Sequence, residues 1–326
     1  MKSLVLSVSP NTSTDRISVV DNFIPGEPSR TVLSFDQAGG SGAHATGVVH
    51  QLGGESCSLV VIGSYNRERW IAAAQQQGMS YDEVVNSVPN RSSFVLLDRK
   101  LGNIAEIIDP GPQVDPECAS QILARLETHL PDTGILILSG SLPPGIPNDF
   151  YAQAMRLARE YGVQTLVDAH SEPMKYALSE HPWAIKPNLF EFQQIVGRAT
   201  PTLSDQVSAL RTVAGVQADV VLLSLGKEGL LVGNSEQIWH LTIPDHGVSL
   251  PGTDRINTIG CGDAMVGGFC YAYVQSQNVL ESAQWGIAAS TATLGTYGVP
   301  DCPPDLVKHL VSMVQVLTVG SGIKGS

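Results

Sequence analysis

Short apolar runs alternate with longer amphipathic segments over most of this chain, an arrangement that is found in few fold classes. The apolar runs have the length of buried strands and lie at residues 4–8, 59–62, 135–138, 165–167, 184–186 and 220–223. Segments with a helical period separate several of them, at residues 43–52, 116–130, 149–161 and 203–214. Strands that alternate with helices form a mostly parallel sheet covered by helices on both faces. We therefore predict an α/β fold, in which Asp115 caps the helix at 116–130 and Gly162 ends the helix at 149–161.

Two stretches break this alternation and predict a second, smaller sheet. Residues 12–36 and 88–111 alternate polar and apolar side chains, as at Ile17 and Val19. Such a pattern favours short antiparallel strands with one exposed face. We predict that they form a lid inserted into a single domain of residues 1–326, and two ordinary surface hairpins are the alternative. Residues 319–326 are predicted to be a loose tail.

The net charge limits the possible binding partners, and the cysteine content indicates the compartment. The chain carries 31 Asp and Glu against 19 Lys and Arg, for a formal net charge of −12. Such a surface repels nucleic acids and anionic membranes, so we expect neither as a partner. The five scattered cysteines form no CxxC pair, which favours free thiols in a reducing compartment. No apolar run has the length of a membrane span or a secretory signal, and we predict a cytoplasmic protein.

A glycine loop directly before a helical segment carries the strongest chemical signal. It runs from Asn257 to Asp263 and includes Gly260 and Gly262. Backbone N–H groups at such a helix start are unpaired and attract anions, as a phosphoryl group in transfer requires. A carboxylate in the first turn can take the proton of an attacking hydroxyl. The alternative is that Asp263 only complements the helix dipole.

A second glycine cluster, Gly39-Gly40-Ser41-Gly42, precedes the first predicted helix. It allows the backbone to approach a polar ligand closely. A dinucleotide fingerprint is the competing interpretation, with Ala45 in place of the third glycine. The preceding strand is short and polar-flanked, and no acidic residue ends a second apolar strand about 20 residues later, so the pattern disfavours that interpretation.

Polar residues follow several of the predicted strands. Asn188 and Glu191 lie three apart after Lys186-Pro187, a spacing that suits either a metal–phosphate site or a helix capping box. Spacing alone does not separate these two roles. Residues 139–145, Asp168 and residues 224–226 also follow strands, at the carboxyl edge of the sheet, where ligands bind in such folds.

Taken in order, these segments resemble the PfkB (ribokinase-like) carbohydrate kinases over about residues 4–310, and in particular their phosphosugar branch. The resemblance implies a ribokinase-like α/β fold with a β-sheet lid, which often pairs two copies into a homodimer. It also implies a kinase of the 1-phosphofructokinase or tagatose-6-phosphate kinase type that uses ATP and Mg²⁺ to phosphorylate a hexose phosphate.

The resemblance further implies a role for each matching residue. The catalytic group comprises the base Asp263 and the anion-binding amides of Gly260, Cys261 and Gly262. The substrate-binding positions are Asp15, Gly39, Gly40, His44, Arg91 and Ser141. The nucleotide-binding positions are Lys186, Asn188, Ser224, Gly226 and Gly229. Glu191 would serve Mg²⁺, through water.

The chain departs from the family pattern on the sugar side. His44 stands where the first signature usually has a sugar-binding Asn, Ser41 where Lys is common, and Gly47 where a basic residue is common. Arg91, with Arg30 nearby in the lid pattern, would then bind a substrate phosphate. These departures leave two alternatives, a kinase for an unphosphorylated sugar or a nucleoside, and a catalytically silent sugar-binding regulator.

Overall fold

The computed structural model describes residues 2–298 and 300–321. Its strands are β1 (Leu4–Ser9), β2 (Ser13–Val20), β3 (Thr31–Gly39), β4 (Ser56–Tyr65), β5 (Tyr81–Pro89), β6 (Arg91–Asp98), β7 (Ile104–Ile108), β8 (Thr133–Ser139), β9 (Gln164–Asp168), β10 (Ala184–Ile185), β11 (Val220–Ser224), β12 (Leu230–Gly233), β13 (Gln237–Thr242) and β14 (Gln315–Ser321). Its α-helices are α1 (Ser41–Gln51), α2 (Arg67–Gln76), α3 (Cys118–His129), α4 (Phe150–Glu160), α5 (Ser171–Ser179), α6 (Leu189–Val196), α7 (Leu203–Leu210), α8 (Cys261–Ser276), α9 (Val279–Thr293) and α10 (Pro304–Met313).

The large sheet has the strand order β14-β13-β12-β11-β10-β9-β8-β1-β4-β5. The strands from β11 to β5 are parallel to one another, and β12, β13 and β14 extend the sheet as antiparallel neighbours. Parallel strands are joined by helical crossovers, which cover both faces of the sheet. The predicted α/β fold is therefore confirmed, and the carboxyl ends of β1, β8, β9 and β11 share one edge.

Both faces of the sheet are buried, as the unbroken apolar strands predict. In β8, Ile135 and Ile137 pack in the cluster that contains α1, α8 and α9, while Leu136 and Leu138 pack with α3 to α7. Successive side chains of a strand point to opposite faces. A strand without alternation therefore supplies both halves of the core.

Helix α8, which begins with the glycine loop, is packed closely on two sides. A Cβ built on Gly267 would meet Val48 of α1 at 2.7 Å, and one on Gly268 would meet Ala289 of α9 at 2.8 Å. Such contacts are too short for any side chain larger than hydrogen. The two glycines therefore let α8 lie against its neighbours and fix the direction of its N-terminal end.

The small sheet has the order β3-β2-β6-β7, so the predicted lid sheet is present. The prediction of purely antiparallel strands was wrong, because the central strands β2 and β6 pair in parallel. The boundaries also differ: Val88 and Pro89 belong to β5 of the large sheet, and β3 continues to Gly39. One face of the small sheet packs on the loop before α8, where Ile17 and Leu97 contact Leu250.

Three local predictions need correction. Asp115 does not cap a helix: its carboxylate accepts hydrogen bonds from the backbone N–H and the hydroxyl of Ser87, and helix α3 begins at Cys118, after Glu117. Helix α7 ends at Leu210, four residues early. Within residues 319–326, the described part pairs with β13 as the end of β14, and residues 322–326 lie outside the described residues.

Gly162 follows α4 with a φ of 66°, as predicted. The assignment of the whole chain to one domain stays a prediction.

Among the helices of the described residues, none has the length and hydropathy needed to cross a membrane.

Candidate active site

A cavity of about 600 Å³ lies between the carboxyl edge of the large sheet and the small sheet. The large sheet and its helices contribute the lining residues Ser9, Gly40, Ser41, His44, Ser139, Gly140, Ser141, Asp168, Glu191, Gly260 and Asp263. The small sheet contributes Ser13, Asp15, Arg91, Ser93, Val95, Glu106 and Ile108. Residues far apart in the sequence thus share one polar pocket under the lid.

The N-terminal end of α8 forms one wall of this cavity. Gly260 precedes the helix with a φ of 77°, a left-handed conformation in which a side chain is strained, and a Cβ there would meet the Pro300 ring at 2.7 Å. The first amides of a helix have no partner within it. Asp263 follows in the first turn with 17% of its side chain exposed. An anion-attracting helix start and a carboxylate therefore lie side by side.

His44, in the first turns of α1, joins this carboxylate to the lid. Its Nδ1 lies 2.9 Å from Oδ2 of Asp263, and its Nε2 lies 3.7 Å from Oδ2 of Asp15. Burial by itself lowers the pKa of His44, but the hydrogen bond and the charge of Asp263, together with Asp15, raise it above its usual value. The histidine is therefore stabilised in its charged form.

Asp15 enters the cavity from β2. It is 6% exposed and accepts a hydrogen bond of 2.6 Å from the hydroxyl of Ser13. Burial raises the pKa of Asp15, although His44 and Ser13 oppose the rise. Gly39 does not line the cavity. Any side chain there would overlap the Asp15 carboxylate, so Gly39 acts by making room for it.

Arg91 begins β6 opposite Ser13 in the sheet register. Its NH2 group lies 3.5 Å from the Ser13 hydroxyl, NH1 lies 3.4 Å from the Asp109 carbonyl oxygen, and Nε is buried without a partner. A guanidinium presents five N–H donors, so most of this hydrogen-bonding capacity remains open. Arg30, by contrast, is exposed and lies outside the cavity lining.

Several lining residues were not predicted from the sequence, among them the polar side chains of Ser13 and Glu106. Each of these two lies two residues from, or across the sheet from, a residue that faces the cavity: Ser13 precedes Asp15 by two, and Glu106 pairs with Val95. The period of two in a strand was the signal that could have found them.

Lys186 and Asp168 form a buried ion pair at the carboxyl edge of the large sheet. Their Nζ and Oδ1 atoms are 3.2 Å apart, and the side chains are 7% and 15% exposed. Burial raises the pKa of Asp168 to about 6, and the charge of Lys186 opposes that rise. A Cβ built on Gly262 would lie 3.3 Å from Nζ, so the ammonium also lies beside the start of α8. Lys186 itself does not line the cavity.

Asn188 and Glu191 form the capping box that their spacing allowed. The Asn188 side chain accepts a bond of 2.9 Å from the Glu191 backbone, and the Glu191 carboxylate accepts one of 2.9 Å from the Asn188 backbone. Glu191 also lines the cavity. A carboxylate has about four acceptor positions, so capping does not exhaust its capacity for another ligand.

Farther along the same edge lie the remaining predicted nucleotide positions. Ser224 ends β11 and forms an isolated parallel bridge with Asn188. Gly226 begins a single 3₁₀ turn, and Gly229 leaves it with a φ of 92°. These residues lie outside the cavity lining but continue the line of strand ends away from the lid.

Comparison with protein families matches residues 5–306 to the pfkB family carbohydrate kinases. The chain belongs to this family. Its members transfer a phosphoryl group to a carbohydrate, so the chain is an ATP-dependent carbohydrate kinase. The dinucleotide interpretation of Gly39–Gly42 is thereby excluded, and the strand before these glycines is β3 of the small sheet.

Relatives of this pfkB kinase cover nearly its whole length. The 1-phosphofructokinase of Rhodobacter capsulatus is 28% identical and spans 97% of this chain and 98% of its own. The tagatose-6-phosphate kinase of Staphylococcus epidermidis is 23% identical over 84% of this chain and 86% of its own. The crystal structure of phosphofructokinase-2 from Escherichia coli with fructose-6-phosphate has a TM-score of 0.85, with 22% identity, 95% of this chain and 98% of that chain covered. The ribokinase-like fold is therefore shared.

The Glu191→Gln variant of the pfkB kinase separates capping from a metal role. Gln at the third helical position keeps a hydrogen-bonding oxygen, so the free energy of unfolding should change little. If Glu191 also organises Mg²⁺, loss of its charge should raise the Mg²⁺ concentration needed for half-maximal rate. Titration of the initial rate with Mg²⁺ at fixed ATP measures this. An unchanged titration curve assigns Glu191 to helix capping alone.

Asp205→Asn is the matched control for that variant. Asp205 occupies the same third position in the capping box of α7, where it bonds Thr202. It is not among the residues that line the cavity. Its substitution should leave the Mg²⁺ requirement of the kinase unchanged.

Proposed function

We propose that this kinase transfers the γ-phosphoryl group of ATP to a hydroxyl of a hexose phosphate, in the manner of a 1-phosphofructokinase or a tagatose-6-phosphate kinase, with Asp263 as the general base. One observation carries the proposal: the carboxylate at the start of α8 shares a single cavity with Asp15 and Arg91 of the lid. The names of the relatives in Rhodobacter and Staphylococcus support the same substrate class.

In the proposed reaction, Asp263 accepts the proton of the acceptor hydroxyl as that oxygen bonds to the γ-phosphorus and the bond to the β,γ-bridging oxygen of ATP breaks. The amides of Gly260, Cys261 and Gly262 donate to the oxygens of the group in transfer, since their positions at the helix start leave them without helical partners. Positioning and electrostatic stabilisation supply most of the catalysis in such transfers.

The sugar would lie between the lid and the strand ends. Asp15 accepts hydrogen bonds from sugar hydroxyls, and Ser141, which accepts a bond of 2.9 Å from Asn11, donates from the opposite side. Gly40 has a φ of 130° and no side chain, so backbone can approach the substrate there. Arg91 binds the phosphate that the substrate already carries.

The nucleotide would lie along the edge that runs from Asn188 to Ser224, with backbone contacts at Gly226 and Gly229. The Lys186 ammonium, beside the start of α8, adds positive potential near the transferring phosphates. These roles follow the family resemblance and the location of each residue along one edge.

The residues present fit a magnesium ion held mainly by ATP. Mg²⁺ in phosphoryl-transfer sites binds one or two carboxylates, several waters and the phosphates of the substrate. Glu191 lines the cavity and retains acceptor capacity beyond its capping bond. When bound, the ion would neutralise charge on the phosphates, and Glu191 would orient its water ligands.

Arg91→Ala tests the substrate class. Loss of a desolvated arginine–phosphate contact costs about 2–5 kcal/mol, so kcat/KM for the preferred hexose phosphate should fall at least about tenfold. The loss should be much smaller for the corresponding unphosphorylated sugar, which has no phosphate to bind. The measurement is ATP-dependent turnover over a panel of fructose 1-phosphate, fructose 6-phosphate, tagatose 6-phosphate, free hexoses and nucleosides.

Arg16→Ala is the control within the same lid. Arg16 neighbours Asp15 on β2 but pairs with Asp36, away from the cavity lining. Arg16→Ala should leave kcat/KM nearly unchanged for both the hexose phosphate and the unphosphorylated sugar. Better turnover of free sugars or nucleosides, with no selective effect of Arg91→Ala, would favour a different acceptor class. Absence of turnover with every acceptor would favour a sugar-binding regulator.

Two further assignments stay predictions. The exposed face of the lid carries Phe94 and Ile107 directly opposite each other, 53% and 65% exposed, an apolar pair that supports homodimer formation through the lid. A cytoplasmic location accords with the free cysteines, which are unpaired throughout the described chain.

A further inference from the structure

His44 is a buried titratable side chain between the two carboxylates on which the proposed function depends. Its ring is 8% exposed and lines the cavity. Nδ1 bonds Asp263, the proposed base, at 2.9 Å, and Nε2 faces Asp15, the proposed sugar ligand, at 3.7 Å. One side chain therefore connects the chemical end of the site to the sugar end.

Both ring nitrogens face hydrogen-bond acceptors. An ionised carboxylate only accepts, so the bond to Asp263 requires a proton on Nδ1. Nε2 is buried without a hydrogen-bond partner, and the oxygen of Asp15 lies just beyond bonding distance from it. The backbone carbonyl of Ala38 also faces the ring and favours its charged form. An imidazole placed among acceptors on both sides is stabilised by protons on both nitrogens.

The charges around the ring come from several elements. Asp263 on α8, Asp15 on β2 and Glu106 on β7 are acidic neighbours, and Arg91 on β6 is a cation that acts mainly on Asp15. On the far side of Asp263, Asp168 and Lys186 form their own pair. The acidic groups nearest the ring outnumber the cations, and their combined field favours the imidazolium.

We propose that His44 is a positioning residue, whose doubly protonated ring holds the base Asp263 through Nδ1–H and keeps the sugar ligand Asp15 in place through Nε2–H. This inference rests on the proposed function, since it gives Asp263 and Asp15 their roles. A neutral imidazole has a single N–H, which the bond to Asp263 uses, and it has no positive charge to attract the Asp15 carboxylate 3.7 Å from Nε2. The protonation state of His44 therefore controls the positions of Asp263 and Asp15 together.

A pH dependence follows from this geometry. The doubly protonated ring dominates below the pKa of His44, which lies above the usual value for histidine. As pH rises through that pKa, the ring loses one N–H donor, and the net charge of His44, Asp263 and Asp15 together becomes more negative by one. The rate therefore falls on the alkaline side, and the KM for an anionic substrate rises with it because the added charge repels the substrate.

Two variants separate the contact of the ring with Asp263 from its contact with Asp15. His44→Asn places an amide nitrogen near the position of Nδ1 and can still donate to Asp263, but it carries no charge. His44→Gln places its amide nearer the position of Nε2 and leaves Asp263 unheld. At neutral pH, kcat of the Asn variant should exceed kcat of the Gln variant by roughly tenfold, the value of one hydrogen bond to a charged group. The alkaline fall seen in the unsubstituted kinase should be absent from both variants.

An imidazole titration by NMR gives a readout that needs no turnover. The pKa of His44 should lie above the usual value for histidine, both ring nitrogens should carry protons below that pKa, and the pKa should fall towards the usual value in Asp263→Asn. An ordinary pKa that is insensitive to Asp263→Asn overturns the inference, as does an unchanged alkaline limb in His44→Asn. Failure of the proposed function is seen separately, as absence of turnover with every hexose phosphate, while the titration still decides the protonation of His44.

Discussion

Asp263→Asn is expected to lower kcat by roughly 10²–10⁴, while the Kd for ATP changes little. The carboxylate lies in the first turn of α8, beside the amides proposed to bind the transferring group. Asn cannot take up the hydroxyl proton, but its carbonyl still accepts the hydrogen bond from His44, so the local structure should persist. Steady-state kinetics and equilibrium nucleotide binding measure the two quantities on the same protein.

The competing explanation is that Asp263 only complements the helix dipole. Asp305 tests it, since this carboxylate occupies the first turn of α10 and is not part of the cavity lining. Asp305→Asn should cost a few tenths of a kcal/mol of stability and leave kcat unaltered. A kcat in Asp263→Asn as high as in Asp305→Asn would remove the general-base role.

Lys186→Met is expected to lower the free energy of unfolding by about 3–5 kcal/mol, because it leaves the buried Asp168 carboxylate without its partner cation. The two groups are 3.2 Å apart and largely shielded from water. Urea unfolding at neutral pH measures the loss. The kinase activity should fall as well, since the ammonium lies beside the start of α8.

Lys175→Met is the matched control, since Lys175 pairs with Glu172 at 2.6 Å on the surface, with the side chains 72% and 54% exposed. Exposed pairs contribute about 0–1 kcal/mol, so this variant should be close to the unsubstituted protein in stability. Equal losses in Lys186→Met and Lys175→Met would contradict a special role for the buried pair.

The pH dependence of the Lys186→Met loss has a definite sign. The pKa of Asp168 is about 6 in the folded protein, above its ordinary value of 3.8, and loss of the cation raises it further. The folded variant therefore binds a proton more readily than the unfolded chain. Its stability deficit should be largest above the folded pKa of Asp168 and should shrink as pH falls through it. A deficit that grows in acid would contradict this account.

The capping box shows why spacing alone leaves a role open. Asn188 and Glu191 three positions apart suit both a helix start and a metal–phosphate site, since both use the same carboxylate and amide oxygens. The structure contains the capping bonds, and the cavity lining includes Glu191. The two roles are compatible, which no reading of the local sequence reveals.

The lid shows a different limit. Polar–apolar alternation located its strands, because that pattern depends only on which face of a strand is buried. The direction of pairing between β2 and β6 depends on the chain between them, which passes through β3, α1, β4, α2 and β5 before it returns to the small sheet. A local period contains no information about that path.

By itself the sequence determined the α/β class, the glycine loop with Asp263, and the strand-end positions that form the edge, because these depend on local periodicity and on the chemistry of short segments. Only the tertiary structure decided that His44 bonds Asp263, 219 residues away, while facing Asp15 of the lid. It likewise placed Lys186 against Asp168 and left Arg30 outside the cavity. Contacts of this kind depend on how helices and strands pack across the sheet, and packing joins residues whose local sequences have no common pattern.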